Sequence, residues 1–106
     1  MPVVPSGIVN QRQLATAIQK AAGALAPDVV RIRYALTPDS TGASAIFFRI
    51  LLSDRASRPD RLYERTERIT ARILAIVQPV EKFGMEAYFN FRSESEQAEL
   101  RDAAWA

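Results

Sequence analysis

The stretch Ala45-Ile46-Phe47-Phe48-Arg49-Ile50-Leu51-Leu52 sets one arginine among seven apolar residues, and it constrains the fold more than any other feature of the chain. With the two-residue period of a strand, it divides cleanly. Ile46, Phe48, Ile50 and Leu52 form a wholly apolar face; Ala45, Phe47, Arg49 and Leu51 form the other. Burying each large side chain of the first face is worth roughly 1.5–3 kcal/mol, so the choice of face is strongly set. Arg49 therefore points away from the layer that covers the core.

The segments around this run have their own periods. Residues 29–36 alternate as a strand, with Val30, Ile32, Tyr34 and Leu36 on one side and Val29, Arg31, Arg33 and Ala35 on the other. Pro38-Asp39-Ser40-Thr41-Gly42 reads as a turn, so residues 29–36 and 45–53 form a hairpin. Residues 85–92 give a third strand, with Met85, Ala87, Phe89 and Phe91 opposite Glu86, Tyr88, Asn90 and Arg92. Three helices surround these strands. The first starts at Asn10, with Gln13 completing a capping box, carries Leu14, Ile18, Ala21, Ala22 and Leu25 as its apolar stripe, and stops before Pro27. The second starts at Pro59 and runs to about Val77, burying Leu62, Ile69, Ile73 and Ile76, with Tyr63, Thr66 and Val77 widening that side. The third is capped by Ser93 with Glu96 and runs to about Ala104.

The order α-β-β-α-β-α predicts an α+β two-layer sandwich, a three-stranded sheet with helices on one face. Residues 8–106 form its single domain, and residues 1–7, broken by Pro2 and Pro5, read as a flexible arm. A crossover after the second strand is expected to set the third beside the first, in the order 2-1-3. The open face then gathers Arg31, Arg33, Phe47, Arg49, Leu51, Tyr88, Asn90 and Arg92, a mixture of arginine and apolar groups typical of interaction surfaces.

Composition narrows the chemistry. The 106 residues include no cysteine and no histidine, which removes thiolate metal sites, disulfides, imidazole bases and every Ser-His or Cys-His pair. No catalytic residue, cofactor or metal site is assigned, and the chain reads as non-enzymatic. Asp39-Ser40-Thr41-Gly42 is superficially like the Asp-Ser/Thr-Gly triplet of aspartic proteases, but a turn with Asp39 capping and Gly42 left-handed accounts for all four residues. No apolar run reaches the ~20 residues of a membrane span, and no signal-peptide pattern opens the chain, so a cytoplasmic protein is expected.

Charge is uneven. Residues 1–80 hold 11 basic and 6 acidic groups, while residues 81–106 hold 3 and 6. Arg58, Arg61, Arg65, Arg68 and Arg72 fall within roughly 80° of one another on a helix, a stripe suited to nucleic acid or an acidic partner, or to pairing with Glu64 and with the acidic residues 94–99. Trp105, the single tryptophan, is an anchor if it is ordered.

The α-β-β-α-β core resembles KH-type RNA-binding modules in topology, but the chain has no Gly-x-x-Gly loop. The segments "DSTGASAIFFRILLSD" and "AYFNFRSESEQAELRDAAWA" resemble parts of short bacterial α+β proteins, some of them imagined as operon partners of a second protein; that resemblance implies no activity. The sequence thus points to a small interaction module, a homodimer or the partner of a cognate protein such as an antitoxin-like or accessory subunit. RNA binding through the same face and the arginine stripe is the alternative.

Overall fold

The computed structural model describes residues 10–106, and the arm at residues 1–7 lies outside them. The elements are α1 (Gln11–Leu25), β1 (Val29–Pro38), β2 (Ser44–Leu52), α2 (Leu62–Val77), α3 (Pro79–Phe83), β3 (Glu86–Ser93), α4 (Glu94–Leu100) and a 3₁₀ turn (Ala103–Trp105). The architecture is the expected α+β sandwich. Leu14, Ile18 and Ala21 of α1 and Ile69, Ile73 and Val77 of α2 share one core with Ile46, Phe48, Ile50 and Leu52 of β2. Those four β2 side chains are buried completely or nearly so, as their alternation requires.

The strand order is β1-β2-β3, not 2-1-3: β2 pairs antiparallel with β1 and parallel with β3. The reason lies in the strands themselves. β2 is the most apolar and tolerates neighbours on both edges. β1 ends in Pro38, which has no N–H to give to a ladder, and is irregular between Val29 and Arg31; both features suit an edge. This irregularity also corrects the alternation. Val29 pairs with Leu52 and is buried, while Val30, expected in the core, is 45% exposed. One extra residue on the bulged strand reverses which side the next side chains take.

The helix ends differ in places from the sequence expectation. Asn10 caps α1 through its backbone only, its side chain making no capping bond. α2 begins at Leu62 rather than Pro59, because residues 53–61 first form turns that bury Ala56 in the core and end with Arg61 left-handed at φ 60°. Tyr63 is exposed rather than buried, and the nearby Glu67 raises its hydroxyl above the ordinary tyrosine value. Ser93 and Glu96 do form a capping box. Arg101, left-handed at φ 50°, stops α4 before Ala104 and turns the chain back over the sheet.

Candidate functional face of the sheet

The ladders arrange the outward side chains in transverse rows. From one end they are Thr37–Ala45–Glu86, Ala35–Phe47–Tyr88, Arg33–Arg49–Asn90 and Arg31–Leu51–Arg92. The eight residues singled out for the open face therefore share one surface, although Val29, expected on the same side, is in the core, and β2, at the centre, makes Arg49 the middle of its row. Its neighbour across β1 is another arginine, and its neighbour across β3 is the uncharged Asn90. Like charges opposite one another destabilise a ladder. The Arg49 side chain has no hydrogen bond or ion pair among the described residues, where the one ion pair is Arg92–Asp102.

Beside this row, Phe47 and Tyr88 stack with ring centroids 4.9 Å apart and planes inclined by 15°. Tyr88 Oη donates to Asp39 Oδ2 at 2.8 Å. The other carboxylate oxygen of Asp39 accepts from Thr41 Oγ1 at 2.6 Å, Thr41 N at 2.9 Å and Ala43 N at 3.1 Å. The hydrogen bonds from Thr41 and Tyr88 hold the Asp39 carboxyl at a pKa of about 2. The same bond from the other side raises the Tyr88 hydroxyl above its ordinary value. Asp39-Ser40-Thr41-Gly42 is thus a turn whose carboxylate bonds an aromatic residue of the face, with Gly42 supplying the left-handed residue at φ 84°.

The opposite end of the face is covered by the chain itself. Residues 101–106 return across the last row, where Trp105 is 7% exposed and its ring lies 4.3 Å beneath the Arg92 guanidinium carbon. Arg92 Nη1 also donates to Gln97 Oε1 at 2.9 Å and lies 3.5 Å from Asp102 Oδ2. Arg33 Nε donates to the Ala106 backbone oxygen at 3.1 Å. Leu51, expected to be open, is only 4% exposed. Arg31, in the row with Leu51 and Arg92, has a buried Nε with no hydrogen-bond partner. A buried donor left unpaired costs about 1–3 kcal/mol.

The uncovered part of the face is consequently Arg33, Ala35, Phe47, Arg49, Tyr88 and Asn90. The arginines of the second helix are not part of it. Arg65, Arg68 and Arg72 ride on α2, which packs on the core side of the sheet, and Arg58 and Arg61 precede the helix. Arg65 Nη1 donates to the Ala56 carbonyl, and none of the five pairs with Glu64 or with residues 94–99 within ion-pair distance. α4 sits elsewhere: Asp54 accepts from Ser95 N at 2.9 Å and Ser95 Oγ at 2.7 Å, which lowers the Asp54 pKa and anchors the start of that helix.

A groove of about 700 Å³ between α1 and the α2–α3 corner has Ile76, Val77 and Phe83 on its walls and Arg12, Lys20 and Lys82 around them. No periodicity announced it, because its walls come from elements far apart in sequence. Among the described residues no cluster of acidic side chains is placed to hold a metal ion, and no helix is long and apolar enough to cross a membrane.

The fold and face define an α+β domain with one helix-covered and one largely open sheet face. Comparison with protein-family models, curated proteins and solved structures gave no match.

Proposed function

We propose that the protein is a non-enzymatic interaction module that docks an acidic surface of a partner protein on the open sheet face. The observation that carries this reading is the Arg33–Arg49 pair: two arginines in register, with no carboxylate of the described residues within ion-pair distance of Arg49, beside the Phe47–Tyr88 stack. A partner carboxylate between these guanidiniums converts a repulsive row into a bidentate site, and the aromatic pair supplies apolar area next to it. A second copy fits this face less well, since a two-fold axis through it sets the arginine row against itself. The uneven charge and the lack of imidazole and thiol groups suit an accessory or antitoxin-like subunit.

Affinity purification from the native host with three forms of the protein tests this. Wild type and Arg72→Glu are expected to retain the same co-purifying protein at stoichiometric amount, and Arg49→Glu to lose it. Retention by Arg49→Glu overturns the assignment of the face. A single-stranded RNA bound by wild type with steep salt dependence and lost in Arg49→Glu supports the RNA reading instead.

A further inference from the structure

Residues 101–106 are bound to the sheet as a ligand would be. α4, which leads into them, buries no residue of its own, so this part of the chain is held by Trp105 and a few polar contacts. Those contacts have one chemistry: an aromatic ring under Arg92, a carboxylate from Asp102 beside the same guanidinium, and a carbonyl oxygen on Arg33. The fit is also incomplete, because Arg31 Nε is buried in this row with nothing to accept its proton. An occupant with one more carboxylate satisfies that donor, and the segment now there does not.

We infer that Arg31, Arg33 and Arg92 form a slot for a partner segment bearing an aromatic residue and carboxylates, and that residues 101–106 occupy this slot until the partner displaces them. This inference rests on the proposed docking function and adds the chemistry of what is recognised. Leu51, buried between Arg31 and Arg92 in the same row, supplies apolar surface there, Arg92 is the cation above the incoming ring, and Arg31 is the donor left for the additional carboxylate. The slot adjoins the uncovered Arg33–Arg49 row, so a partner segment entering it continues onto the Phe47–Tyr88 patch.

The single tryptophan makes displacement visible. The probe is a synthetic peptide, Leu-Arg-Asp-Ala-Ala-Phe-Glu, which follows residues 100–106 with phenylalanine for the tryptophan and glutamate for the last alanine. Titrated into the full wild-type chain, it is expected to shift Trp105 emission to the red with saturation. Arg31→Gln is expected to weaken it about tenfold, the loss of a hydrogen bond to a charged group. Trp105→Ala is expected to bind it about tenfold more tightly by calorimetry, because the slot no longer has to be vacated. Unmoved wild-type emission at millimolar peptide overturns the inference, and that measurement does not depend on any variant folding. Equal affinity of wild type and Arg31→Gln overturns it as well. Loss of the host partner from Arg49→Glu with no peptide-induced shift sinks the slot and leaves the docking face standing.

Discussion

Arg33 and Arg49 stand directly opposite one another in the β1–β2 ladder, and of the two side chains only that of Arg33 has a hydrogen-bond partner among the described residues, the Ala106 backbone oxygen. A strand pair normally avoids this arrangement. It is held here by the core on the other side of the same strands, where Phe48 and Ile50 are fully buried. The isolated protein therefore carries a local cost at its proposed docking row. Replacing Arg49 with threonine, a good strand former, is expected to stabilise the free protein by about 0.2–1 kcal/mol in urea unfolding at low salt. The gain should shrink as salt screens the pair. A destabilised Arg49→Thr protein would show that Arg49 has a favourable partner within its own chain.

The bond between Tyr88 and Asp39 makes a two-sided pH prediction. Asp39 is depressed to about 2 from an ordinary value of 3.8, so its contribution to stability is present above 3.8 and is lost as pH falls toward 2. Tyr88 is shifted the other way, above 10.0, so its contribution is present below that pH and is lost as pH rises through the folded value. Both follow from a proton held by the tyrosine and not by the carboxylate. Tyr88→Phe is expected to move the Asp39 carboxyl only part of the way back toward 3.8, because Thr41 and Ala43 still donate to it. Carbon-detected NMR titration reads this directly. An unchanged Asp39 in Tyr88→Phe would remove the tyrosine from the turn.

The neighbours Phe47 and Phe48 test the division of the strand into two faces. Phe48 is fully buried and stacks on Phe89 with centroids 5.0 Å apart. Phe48→Ala is expected to cost about 3–5 kcal/mol. Phe47 is only half-buried and stacks on the Tyr88 ring, so Phe47→Ala is expected to cost about 0.5–1.5 kcal/mol. Chemical denaturation of the pair measures the difference, and equal losses would mean that both faces of β2 are core.

The sharp contrast between those two residues was readable in the sequence because strand period two is a local property. So was the capping box of Ser93 and Glu96, whose partners lie three residues apart. What escaped depended on distance or on one irregular residue. The bulge between Val29 and Arg31 is invisible to a strict alternation and exchanged Val29 for Val30 in the core. The sheet order turned on which strand tolerates an edge, a signal present in Pro38 of β1 and in the apolar character of β2. The contacts of residues 101–106 with Arg92 and Arg33 depended on the chain folding back, which starts with a left-handed Arg101 that no residue preference announces. The arginine stripe was overextended for a similar reason: the turns of residues 53–61 took Arg58 and Arg61 out of the helix.

Ser93 links the end of β3 to everything that follows it. Its Oγ accepts from Glu96 N at 3.1 Å, and Glu96 Oε1 accepts from Ser93 N at 3.1 Å. Because α4 has no buried residue, the cap and the Asp54–Ser95 bonds are what orient it toward the sheet. Ser93→Ala is expected to cost about 0.5–2 kcal/mol. The loss should be concentrated in the segment rather than spread through the fold: amide exchange should quicken over residues 94–106 while β2 stays protected, and Trp105 emission should move to the red. Asp54→Asn is expected to act in the same direction, because it removes the charge that Ser95 solvates. A Ser93→Ala protein with unchanged exchange at residues 94–106 would mean that Trp105 and Arg92 alone hold the segment in place.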